Sequence, residues 1–165
     1  MVKIEINRLN DNFHMEAVQQ GQVLAKSHGV NLRVVVAAQA EQAYINASRE
    51  VLQRAFANLV WNNIQFSTAG SNALISIDVS DQWVHATFQD VGPSLLGRAR
   101  EACFSLEAQL DTKTSADGRY SRWLGLFIAN IAADAAGGSL QVVKPDADFS
   151  SALRLVLPRY VAAAP

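Results

Sequence analysis

The sequence predicts an α/β fold: a two-layer sandwich with a mixed sheet and helices packed on one of its faces. Three observations lead there. Strand-like and helix-like segments are interspersed along the chain rather than segregated. Residues 73–79 and 83–89 alternate at period two around Ser80-Asp81-Gln82, which is a hairpin signal in mid-chain. A second pair of strand-like runs, residues 139–143 and 152–157, closes the chain. No Gly-x-Gly-x-x-Gly follows a strand and no Gly-Lys-Ser/Thr loop is present, so a doubly wound nucleotide fold has little support.

Taken in order, residues 2–9 begin with alternating polar and apolar side chains and read as a strand. Residues 15–28 read as a helix stopped by Gly29, which suits the left-handed position after a helix end. Residues 31–36 are β-branched and read as a strand, and residues 42–46 as a short one. Ser48 stands where an N-cap belongs, ahead of a long helix over residues 51–66. After the central hairpin comes a breaker-rich loop, Asp90-Val91-Gly92-Pro93-Ser94, then a short helix near residues 95–104. Residues 105–122 show little periodicity, a length of loop that in a compact domain usually serves function. A helix follows over residues 124–136 and ends at Gly137-Gly138. Pro158 is expected to end the last strand. The expected organisation is one domain over residues 1–160 and a frayed tail over 161–165.

The chain has 165 residues, half of them hydrophobic and 18% charged, with a net charge of −1. This excludes disorder and a broad basic face for nucleic acid. One cysteine, Cys103, excludes an internal disulfide, and His14, His28 and His85 have no metal-ligand spacing. No apolar run nears the ~20 residues that span a bilayer. The expectation is a cytoplasmic domain without membrane contact of its own. The abrupt start at Met1-Val2-Lys3-Ile4 suggests a domain belonging to a longer protein.

Three features carry chemistry. At 100° per residue, Arg54, Asn58, Asn62 and Gln65 share one side of the long helix, with Trp61 at its edge. Leu52, Phe56, Leu59, Val60 and Asn63 lie on the other. Asparagine is a poor helix former, so the stripe is either a hydrogen-bonded half-buried face or a row of amide oxygens turned to a pocket, able to ligate Mg²⁺. Asp90 closes a strand directly before Gly92; it either makes an ordinary turn or accepts from an exocyclic amine. Leu124-Gly125-Leu126 stands where a loop enters a helix, as a simple turn or as a phosphate site at the first helical amides.

Together these residues resemble the ATP-binding catalytic domain of sensor histidine kinases, in the superfamily shared with gyrase and MutL. The resemblance implies the Bergerat-type ATP-binding fold. Phe56-Ala57-Asn58-Leu59-Val60-Trp61-Asn62-Asn63-Ile64-Gln65-Phe66-Ser67 is similar to the N box, with Asn62 as the Mg²⁺ ligand and Asn58 as the polar residue that assists metal or water. Asp90-Val91-Gly92-Pro93-Ser94 resembles the first glycine box, which makes Asp90 the reader of the adenine amine and Gly92 a nucleotide contact. Phe104 falls at the F box, residues 105–122 at the ATP lid, and Trp123-Leu124-Gly125-Leu126 at the second glycine box, so Gly125 and Leu126 contact nucleotide. Ser150-Ser151 takes the place of a Gly-Thr pair, which adds Ser151 to the nucleotide contacts.

The resemblance implies ATP and Mg as cofactors. It implies donation of the γ-phosphate to a histidine on a separate dimerisation domain, with a response regulator as partner and homodimerisation only in the longer protein. The sequence departs from the pattern at Ser94 and Trp123, where the family has glycines, at Gln65, where it has lysine, and at Asn63, where it has alanine. Trp123 is expected to cap the phosphate end. A pseudokinase-type module that binds a signalling partner with little turnover is therefore the alternative.

Overall fold

The computed structural model describes residues 2–5, 13–40, 43–94 and 120–160. The expected helix at 95–104 with Phe104, the expected lid over 105–119, and the tail all lie outside the described residues. So does the continuation of the first strand beyond Glu5.

Seven strands form the sheet: β1 (Val2–Glu5), β2 (Asn31–Val36), β3 (Tyr44–Ala47), β4 (Asn72–Val79), β5 (Trp83–Asp90), β6 (Ser139–Val142) and β7 (Ser151–Tyr160). The order is β1-β3-β7-β5-β4-β2, with β6 paired to β7 beside that path. All described pairings are antiparallel except β2 with β4, so the sheet is mixed as expected. Among the described residues three helices, α1 (Phe13–His28), α2 (Arg49–Gln65) and α3 (Tyr120–Ala135), pack on one face.

The alternation in the hairpin decides which face that is. Ala73, Ile75 and Ile77 of β4 and Val84, Ala86 and Phe88 of β5 are buried under the helices. Leu153, Leu155 and Leu157 of β7 continue the same layer. From above, α2 supplies Leu52, Phe56 and Leu59, all without solvent exposure. Phe56 meets Phe88 edge to face, with ring centroids 5.0 Å apart at 63°, a geometry that adds about 0.5–1.5 kcal/mol beyond the area buried.

Four expectations need correction. The last strand does not stop at Pro158 but runs to Tyr160. The Arg159 amide donates to the Gln82 carbonyl on the β5 side, so the amide that residue 158 lacks would point to the other side. There β6 ends opposite Val156 and β3 begins opposite Arg159, so no ladder bond is lost. Ser48 does hold the N-cap position, with extended backbone, but its side chain makes no capping hydrogen bond. The short third strand is shifted to Tyr44–Ala47. Finally, α3 starts at Tyr120, so residues 120–122 belong to its first turn and not to a lid. Gly29, by contrast, has the left-handed backbone its position predicts, with φ 68°.

Candidate functional site

The site lies where α2, the end of β5, α3 and β7 converge. A small pocket there is lined by Leu59, Asn62, Asn63, Phe88, Asp90, Leu126 and Leu153. Three polar side chains face four apolar ones around a cavity of about 10 Å³, the room of one water, so a larger ligand would have to part these walls.

Asp90 is the last residue of β5 and is 6% exposed. Its Oδ1 accepts the Gly92 amide at 2.8 Å, which closes the turn and holds the carboxylate in place. The Asp90 carbonyl accepts the Ser150 amide at 3.0 Å, and the Ser150 hydroxyl donates to the Gly92 carbonyl at 2.5 Å. Gly92 has no room for a side chain: a Cβ would overlap the Phe66 carbonyl oxygen at the end of α2 and stand 2.7 Å from Asp90 Oδ1. Ser151 pairs with Asp90 across the strands. It is 2% exposed, and its hydroxyl has no hydrogen-bond partner among the described residues.

The predicted polar stripe of α2 divides in two. Arg54 is exposed and pairs with Glu50 at 2.7 Å on the surface, and Gln65 is exposed at the other end. Asn58 is half-buried and Asn62 is 4% exposed. Asn62 Nδ2 donates to the Asn58 carbonyl at 2.9 Å, one helical turn back. This bond fixes the amide and leaves Oδ1 buried without a partner among the described residues. A carbonyl-type oxygen in that condition is a fitting ligand for Mg²⁺, which takes few protein oxygens. Among the described residues no cluster of His, Cys, Asp or Glu could hold a metal.

Gly125 and Leu126 reach the site in a way the sequence did not foretell. Because α3 starts at Tyr120, both lie in its second turn, where amides are already engaged by the helix itself, and not at its first amides. Leu126 is fully buried in the pocket wall. Gly125 packs on α2, where a Cβ would stand 3.0 Å from Asn62 Nδ2 and 3.7 Å from Asn58 Oδ1. Its service to the site is therefore close approach of the two helices.

Two site residues were missed. Periodicity puts Asn63 on the apolar side of α2, and there, 2% exposed, it lines the pocket beside Asn62. Its presence among core residues was the signal. Gln89 is 5% exposed on the opposite sheet face. Its Nε2 donates to Asp146 Oδ2 at 2.8 Å and its Oε1 accepts the Asp146 amide at 2.8 Å. That clamp ties the β6–β7 connection to the residue next to Asp90.

No protein-family model matches the chain, and no curated protein is significantly similar to it in sequence. Solved structures are similar in fold. The catalytic domain of histidine kinase ThkA, nucleotide-free, matches with a TM-score of 0.77 at 17% identity, over 96% of this chain and 95% of that one. The chain has the fold of histidine kinase catalytic domains. A mycobacterial sensor histidine kinase, MprB, matches with a TM-score of 0.67 at 20% identity, over 87% of this chain and 93% of that one. Full-length ShkA in complex with AMPPNP matches with a TM-score of 0.71 at 23% identity, over 93% of this chain but 30% of its own length. In this histidine kinase fold the described residues include no helix long and apolar enough to cross a membrane.

Proposed function

We propose that this chain is the nucleotide-binding catalytic domain of a sensor histidine kinase and binds ATP where α2, β5 and α3 meet. The observation that carries the reading is the convergence of Asp90, Asn62 and Leu126 in one buried pocket of a histidine kinase fold. Complexation of ShkA, a protein of the same fold, with AMPPNP supports it.

The residues divide the work. Asp90, held by the Gly92 amide, accepts from the amino group of adenine, while Leu59, Phe88, Leu126 and Leu153 supply the apolar wall against which the ring would pack once the walls part. Ser151 offers a buried hydroxyl beside Asp90. Asn62 Oδ1 is the group that would hold Mg²⁺, with Asn58 fixing its amide through the backbone carbonyl. When bound, the metal neutralises phosphate charge. Catalysis of this kind rests on positioning and electrostatics. The γ-phosphoryl group passes to an imidazole nitrogen of a histidine on a separate dimerisation domain, ADP leaves, and a response regulator takes the phosphoryl group onward.

The alternative is a partner-binding module with little turnover. It draws on Ser94 and Trp123 standing where the family has glycines. Calorimetric titration with Mg-ATP separates the two: the kinase reading expects saturable binding that needs Asp90, and the module reading expects none.

A further inference from the structure

Asn63 is 2% exposed, and neither its Oδ1 nor its Nδ2 has a hydrogen-bond partner among the described residues. A buried amide without a protein partner weakens the fold unless a ligand or a water meets it. It lies in the wall of the pocket that Asp90 closes. Its neighbour Asn62 has an internal partner for its nitrogen, so the two amides are not equivalent. No strand, cap or turn uses the Asn63 side chain. What it lacks is one donor and one acceptor, side by side.

We propose that Asn63 is a second base-reading residue of this site, pairing both ends of its amide with the edge of a 6-aminopurine. The inference rests on the nucleotide reading above. A 6-aminopurine completes the set: one amino hydrogen goes to Asp90, the other to Asn63 Oδ1, and an adjacent ring nitrogen accepts from Asn63 Nδ2. Asparagine pairs with adenine through such an edge elsewhere. An alanine in this position could supply apolar contact only, so Asn63 makes the pocket depend more strongly on the amino group.

The test uses Asn63→Ala with Asn63→Ser as a second variant, since serine keeps a polar atom but cannot span a donor and an acceptor. ADP, GDP and purine riboside 5′-diphosphate, which lacks the amino group, are titrated calorimetrically, and thermal unfolding is followed without nucleotide. The wild type is expected to prefer ADP to both other ligands. Both variants should bind ADP about tenfold or more weakly and discriminate less against the analogue without the amine. Without nucleotide they should unfold at the same or a higher temperature, because an unpartnered amide is gone; a structural asparagine would move that temperature down. Wild-type binding of ADP with unchanged affinity in both variants overturns the role of Asn63 and leaves the nucleotide reading standing. Tighter binding of GDP than ADP overturns the 6-aminopurine assignment. Absence of any nucleotide binding by the folded wild type overturns the nucleotide reading and this inference together.

Discussion

The Gly125 backbone lies so close to Asn62 that a Cβ on it would stand 3.0 Å from Nδ2 of the asparagine amide. One helix thus leaves room for the polar group of another, and the group in question is the candidate metal ligand. Two opposed effects follow for Gly125→Ala. Alanine in place of glycine within a helix gains about 0.5–1 kcal/mol, while the new methyl group pushes the Asn62 amide by a few tenths of an ångström. The melting temperature should change little and Mg-ATP affinity should fall, measured by thermal unfolding and calorimetry on the same sample.

Asn62→Ala should separate metal-dependent from metal-independent binding. The substitution removes the buried Oδ1 and the bond from Nδ2 to the Asn58 carbonyl. One internal hydrogen bond is lost, worth about 1 kcal/mol, and one unpartnered oxygen goes with it, so stability should hold. Affinity for Mg-ATP should drop far more than affinity for ADP titrated with chelator present. Equal losses for the two ligands would mean that Asn62 supports the pocket's shape instead.

Gln89 and Asp146 should behave as a coupled pair. Asp146→Ala removes the carboxylate that accepts from Gln89 Nε2 and keeps the backbone amide that donates to Gln89 Oε1, so one buried donor is orphaned at a cost of about 1–3 kcal/mol in unfolding free energy. Gln89→Ala removes both hydrogen bonds, the one to the Asp146 carboxylate and the one from its backbone amide. The double variant should be little worse than Gln89→Ala alone, as chemical denaturation would show. Additive losses would contradict the clamp.

Much of this was legible in the sequence where short-range chemistry governs. The alternation of residues 73–79 and 83–89 disclosed the central hairpin because one face is buried and a register slip would invert it. Gly29 disclosed the end of α1 because only a glycine takes φ 68° without strain. Asp90 and Gly92 could be named because the turn that joins them is local. What stayed hidden depends on distant chain segments. Gln89 and Asp146 are 57 positions apart, and nothing near either residue announces the other. Asn63 was assigned to the core side by helical periodicity, correctly as to burial, but periodicity does not show that β5 and α3 leave a pocket there. Pro158 reads as a stop because the gap between β6 and β3 that tolerates it exists only in the assembled sheet. The start of α3 at Tyr120 is hard to read because Tyr120-Ser121-Arg122 adjoins the turn-forming Asp117-Gly118 and Ser121 itself stands where an N-cap for a later start would be.

The central claim is that Asp90 reads the base of a bound adenine nucleotide. The most direct measurement is calorimetric titration of ADP into the wild type and into Asp90→Asn, a substitution that keeps the size of the side chain and removes its charge. A charge-assisted hydrogen bond is worth about 1.5–3 kcal/mol, so affinity should fall about tenfold to a hundredfold. Thermal unfolding without nucleotide, run alongside, shows whether the turn to Gly92 has survived. Saturable ADP binding in the wild type with that loss in a folded variant is the predicted result; ADP binding of equal strength in both proteins would contradict it.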